Sequence, residues 1–128
     1  MAKEDLLEKG MKIRRQVLTD AHVDRAMANV NDFNRDFQDI VTEYCWGACW
    51  GREGLSLKQR SINNICMLSI LNRPTELETH VRAALRNGAT VDEIRETLIQ
   101  VAIYAGVPAA FDSFRIAAKV LKEEGAIS

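Results

Sequence analysis

Two thiols stand four residues apart in the stretch EYCWGACWGREGL, Glu43 to Leu55, among two tryptophans spaced the same way. Thiols so placed can be a redox pair, two ligands of a metal, or packing. On a helix, Cys45 and Cys49 share a face with Cβ atoms ~5–6 Å apart. A disulfide needs ~3.8 Å. The pair closes only if the helix unwinds, which Gly47 and Gly51 would ease, and it is not the Cys-x-x-Cys of thiol oxidoreductases. A zinc site wants about four ligands at recognisable spacing, and His22 and His80 are both distant in sequence from the pair. The spacing favours buried structural cysteines at 45 and 49, and Cys66, in NNICMLSIL, reads as core.

A second constellation lies in TELETHVR. His80 titrates near neutrality and can deliver a proton without extreme tuning. Glu76, one helical turn earlier, is placed to orient the imidazole and to favour its charged form. By spacing alone, a solvated helix face carrying a weak pair is the plainer reading. Arg52 and Arg60 offer planar forks suited to carboxylates, with ordinary surface arginine as the alternative. Trp46 and Trp50 can wall an apolar pocket or simply fill a core. Ser61 stands near a helix start, where serine has many local uses. Tyr104 reads as a core aromatic with its hydroxyl near the same cleft, and His22 as a surface residue.

The elements that must position these groups are helices. The apolar pattern is helical nearly throughout, with only two prolines and no useful strand alternation. A first helix is expected from Lys3 to Leu18, and a second in DAHVDRAMANV with Asp20 as its cap. A third should start at Asp32, with Phe33, Phe37, Ile40, Val41, Tyr44 and Cys45 on its apolar face. GREG breaks it. Ser56 and Gln59 form a capping-box pattern opening a helix to about Leu71, and Thr90 and Glu93 form another. Pro74 suits a first helical turn, Gly88 a helix end, and Pro108 the start of the last helix, which stops at Gly125. The result is an all-α single domain over residues 1–128, with six or seven helices. LIQVAIYAG is apolar over much of its circumference, which points to cover from a second subunit.

Composition narrows the partners. The chain has 128 residues with 17 basic and 18 acidic side chains, a net charge of −1. That balance argues against nucleic-acid or membrane-surface binding. No apolar run approaches the ~18 residues of a membrane span, and the charged start MAKEDLLEKG has no signal core. An odd number of cysteines fits a reducing compartment, so a cytoplasmic protein is expected.

Beyond single residues, several strings fall into one pattern: Trp46-Gly47, Trp50, Arg52, Gly54-Leu55 and Arg60-Ser61, then Glu76-Leu77, His80 and Arg82-Ala83-Ala84. Asn87-Gly88, Glu93 to Glu96 and YAGVPAA continue it, and Gly10, Ile13-Arg14, Val17-Leu18 and Asn31 to Phe33 extend it toward the N-terminus. The chain resembles the 4-carboxymuconolactone decarboxylases over nearly its whole length, with YAGVPAA and HVRAALRNG the most specific pieces. The resemblance implies an alkylhydroperoxidase D-like fold and a homo-oligomer, a hexamer or trimer. The redox branch of that superfamily uses a Glu, a Cys-x-x-Cys pair and a His after three intervening residues. Aligned on His80, those positions hold Ser61, Arg73 and Glu76, so the relay is absent there. The chain departs from the decarboxylase pattern at Gly51, Glu53 and Asp112, and in having Cys45 and Cys49.

The implied reaction is loss of CO2 from a small dicarboxylated lactone, giving the β-ketoadipate enol-lactone of protocatechuate degradation. The electrons left behind delocalise through the ring alkene into the lactone carbonyl, so neither metal nor organic cofactor is required. The resemblance then makes His80 the proton donor with Glu76 beside it, and Arg52 and Arg60 the carboxylate binders. Trp46 and Trp50 would desolvate the departing carboxylate, and Ser61 would donate to the lactone carbonyl. The rival readings are a thiol-dependent peroxidase or disulfide reductase using Cys45 and Cys49, and a non-catalytic helical oligomer that binds a small acid.

Overall fold

Thr19 alone separates the first two helices. In the computed structural model, which describes residues 3–128 with side chains from residue 5 onward, α1 (Lys3–Leu18) ends and α2 (Asp20–Ala28) begins across it. Thr19 has φ 85° and ψ 154°, a conformation rare for a β-branched residue. Its Oγ1 accepts a hydrogen bond from the His22 N–H at 3.3 Å. Thr19, rather than Asp20, therefore caps α2. Asp20 becomes the first helical residue and pairs with Arg15 at 3.1 Å.

The third helix starts later than its pattern suggests. Asn31 Oδ1 accepts from the N–H groups of Phe33 and Asn34, and Asn34 Oδ1 accepts from the Asn31 N–H. This local bonding makes a turn, so α3 runs Arg35–Ile40 and gives way to a π-helix at Val41–Cys49. The wider winding shows in the Trp50 N–H bonding to the Cys45 carbonyl, five residues back, at 2.9 Å.

Packing of α1 on the π-helix selects which side is buried. Thr42, Glu43, Trp46, Gly47 and Trp50 are inside, while Phe33 is 97% exposed and Phe37, Ile40 and Tyr44 are also open. The stripe expected to be the core face is the outward one. The choice follows Gly47, where the two backbones come close because neither Gly47 nor Gly10 carries a Cβ. Cys45 and Cys49 are exposed as a consequence, correcting the buried reading. These elements form one compact unit ending at Ser56.

Leu57–Ser128 form a second compact unit of four helices: α4 (Leu57–Ile70), α5 (Pro74–Arg86), α6 (Val91–Ala105) and α7 (Val107–Glu123). Its core joins Ile65 of α4, Leu77, Val81 and Ala84 of α5, Ile94 and Leu98 of α6, and Ala117, Val120 and Leu121 of α7. Pro74 is in the first turn of α5, as expected. Gly88, Gly106 and Gly125 all follow helix ends with positive φ. The Thr90–Glu93 capping box forms in full, with bonds of 2.9 and 3.0 Å. Arg82 of α5 grips Glu123 at 2.7 Å and Glu124 at 2.6 Å, tying α5 to the end of α7.

Seven α-helices and the π-helix make up the regular structure of the described residues, with no strand among them. None of their helices is long and apolar enough to cross a membrane. The apolar breadth of α6 is real. Ile94, Leu98 and Val101 are buried, yet Ile103 is 76% and Tyr104 83% exposed, and Val107 and Phe111 of α7 are exposed too.

Candidate active site

The seam between α4 and α5 carries the histidine. His80 is held inside it at 9% exposure. Asn64 of α4 brings its Nδ2 to 3.4 Å from both His80 Nδ1 and Nε2. A donor in the ring plane would approach only one nitrogen, so the amide lies over the face of the imidazole. Arg60 is one turn before Asn64 on α4, which puts the two on one helix face. A cation, an amide and an imidazole thus belong to one neighbourhood within the second unit. Glu76, one turn before His80, is exposed.

Ser61 and Tyr104 take other parts. Ser61 is fully buried, and its Oγ accepts from Asn87 Nδ2 at 2.9 Å, pinning the end of α5 to α4. Tyr104 is not a core aromatic: α6 turns it outward, beside a groove it lines with Asn63, Cys66 and Gln100. Cys66 is half-buried there rather than enclosed. Both differences arise because α6 buries Val101 against the unit and so points Tyr104, three residues on, partly away.

In the first unit, Trp46 and Trp50 are each 4% exposed and stack at a tilt, with ring centroids 4.9 Å apart and an interplanar angle of 36°. Their spacing already implied a shared face. Arg52 and Glu53 are exposed on the loop beyond. Arg14 is buried, with Nη1 donating to Gln38 Oε1 at 3.0 Å and to Thr42 Oγ1 at 3.1 Å. Burial lowers its pKa from the usual arginine value, and the nearby Cys45 thiol opposes that shift. The Cys45 thiol is pushed above its ordinary range, first by desolvation among its neighbours and then by Cys49, with Arg14 acting against both.

Two residues carry more of this chemistry than the sequence suggested. Asn64 is the polar neighbour of His80, and its signal was a polar residue one turn after Arg60. Arg14 stands one turn after Gly10 on the face of α1 that must be buried. Among the described residues, no three or more His, Cys, Asp or Glu side chains are grouped to hold a metal ion.

An all-helical chain with a sheltered histidine beside an arginine-bearing helix suits acid–base work on a small anion. The chain belongs to the carboxymuconolactone decarboxylase family, whose model matches residues 35–119. It is 39% identical over 125 residues to a 4-carboxymuconolactone decarboxylase of Acinetobacter baylyi, covering 98% of this chain and 93% of that protein. It is 35% identical over 118 residues to a nitrosuccinic acid decarboxylase of Metarhizium robertsii, covering 92% of this chain and 82% of that protein. A 4-carboxymuconolactone decarboxylase sequence from Pseudomonas putida is 45% identical over 47 residues, 37% of this chain and 98% of that sequence.

Proposed function

We propose that the protein decarboxylates 4-carboxymuconolactone, or a close relative, without a cofactor. The observation that carries this reading is the near-full-length likeness to the Acinetobacter decarboxylase. The sheltered contact of His80 with Asn64 supports it. The substrate loses CO2 as its C–C bonding electrons move through the ring alkene into the lactone carbonyl. The dienolate so formed takes a proton at carbon from the His80 imidazolium, giving the enol-lactone. Asn64 steadies the ring, and Glu76 favours its charged form.

Arg60 holds a carboxylate of the substrate, and Arg52 is the second candidate for that task. The arm that stays is the one to grip. A cation on the departing carboxylate would stabilise the ground state and slow its loss. Trp46 and Trp50 supply apolar surface, Ser61 supports α4, and Tyr104 remains a substrate contact to be tested. The family match spans the boundary at Ser56, which supports one functional domain over residues 1–128. The exposed apolar surface of Ile103, Tyr104, Val107 and Phe111 supports a homo-oligomer, a trimer or hexamer, in the cytoplasm.

The test is direct. Chelator-treated, thiol-alkylated protein is mixed with enzymatically made 4-carboxymuconolactone, and CO2 and enol-lactone are followed together. Turnover with the two products in equal amounts is expected. A folded protein that yields neither defeats the proposal, and nitrosuccinate is then the first alternative acid to assay. A thiol peroxidase is disfavoured by the raised pKa of Cys45, since the thiolate is the nucleophile.

A further inference from the structure

The decarboxylase reading leaves the paired thiols without work. We propose that Cys45 and Cys49 form a dithiol site for a thiophilic centre bound through two sulfurs, such as a monosubstituted trivalent arsenical. Both residues are exposed, on one π-helix, four positions apart. Each is followed directly by a buried tryptophan that anchors the backbone behind it. The two thiols are near enough for Cys49 to oppose ionisation of Cys45.

The spacing selects the ligand. Side chains one helical turn apart start from Cβ atoms ~5–6 Å apart, too wide for the ~3.8 Å of a direct disulfide. An intervening atom bonded to both sulfurs spans such a gap without unwinding the helix. Zinc is poorly served, because it wants four protein ligands or three with water, and no such group exists among the described residues. A centre satisfied by two thiols is what remains. An arsenical R–As=O takes up two thiols to give R–As(S)2, with the oxygen and both thiol protons leaving as water. Two S–H bonds and the As=O bond are replaced by two As–S bonds and water, and no atom is oxidised or reduced. The raised pKa of Cys45 slows attack on a peroxide but leaves this exchange balanced, since its protons depart with the oxygen.

The experiment uses the native protein and phenylarsine oxide. Trp46 and Trp50 are the only tryptophans in the chain and sit next to the two thiols in sequence, so their fluorescence reports binding. One arsenical per chain is expected by intact-mass measurement, with Cys45 and Cys49 protected from alkylation and Cys66 still reactive. Cys45→Ser and Cys49→Ser should each weaken binding by about 10²–10⁴-fold, the loss that follows when a second attachment is removed. Cys66→Ser should bind like the wild type. Three results overturn the site: no adduct on the native protein, an adduct unaffected by either single substitution, or an arsenical bridging two chains. Decarboxylation of untreated Cys45→Ser is measured beside these, so a failure of the dithiol site and a failure of the enzymatic reading are told apart.

Discussion

Gly10 of α1 and Gly47 of the π-helix meet backbone to backbone. A Cβ on Gly10 would fall inside the Thr42 carbonyl and stand 2.9 Å from the Gly47 nitrogen. A Cβ on Gly47 would stand 2.6 Å from the Leu6 carbonyl oxygen. Main-chain atoms cannot swing aside as the end of a side chain can, so the whole crossing would have to open.

Gly10→Ala should therefore destabilise the protein by about 1–3 kcal/mol, although alanine is the better helix former by ~1 kcal/mol. Gly54→Ala is the control, because open space surrounds that position. Urea midpoints decide the matter, and an unchanged midpoint for Gly10→Ala would refute the close crossing.

Thr19 offers the opposite outcome. Its positive φ strains a β-branched residue, at a cost of order 1–3 kcal/mol. Glycine accepts that conformation and caps a helix only a few tenths of a kcal/mol less well than threonine. Thr19→Gly should raise stability by about 1 kcal/mol, whereas Thr19→Ala, which loses the cap and keeps the strain, should lower it. A Thr19→Gly protein that melts below the wild type would contradict the backbone geometry.

Acid should loosen the start of α6. The Thr90 N–H, then Lys58, hold the Glu93 carboxyl below its ordinary carboxylate range. A folded pKa below the unfolded one adds stability at pH values above the unfolded pKa. That contribution fades as pH falls through the folded value. Wild type should exceed Glu93→Gln in stability at neutral pH, and the two should converge in acid. Denaturation midpoints across that range would show it, and a gap independent of pH would rule the linkage out.

Kinetics separate the roles at the α4–α5 seam. His80→Ala should lose about 10²–10⁴-fold in kcat, the usual worth of a general acid, with its oligomeric state intact. Arg60→Gln should act chiefly through KM, because it removes a carboxylate contact made before and during reaction. Full turnover by His80→Ala would dismiss it as the proton donor.

Ile103→Glu tests the apolar surface of α6. Ile103 is 76% exposed, so the substitution should leave a lone chain folded while opposing its burial in an interface. Sedimentation should show smaller species than the wild type forms. An unaltered assembly would place the interface elsewhere.

The helices, their glycine stops and the Thr90 capping box were legible because they depend on local chemistry. The burial of Trp46 and Trp50 was half-legible: spacing paired them, but only packing decided that their side faces inward. The stripe from Phe33 to Tyr44 misled for the same reason. It is apolar enough for a core, yet close approach at Gly47 turned the helix the other way. Asn64 was illegible because a mid-helix asparagine means little until a neighbouring helix brings His80 against it.

The π-helix makes length itself a constraint. Its turns hold more residues than those of an α-helix, so the segment carries surplus chain that a straight α-helix would not need. Deleting one residue between Val41 and Cys49 would let it wind as an α-helix and rotate every later position by about 100°. Trp50 would then leave the face it shares with Trp46. Evolution can respell this segment letter by letter more easily than it can shorten it.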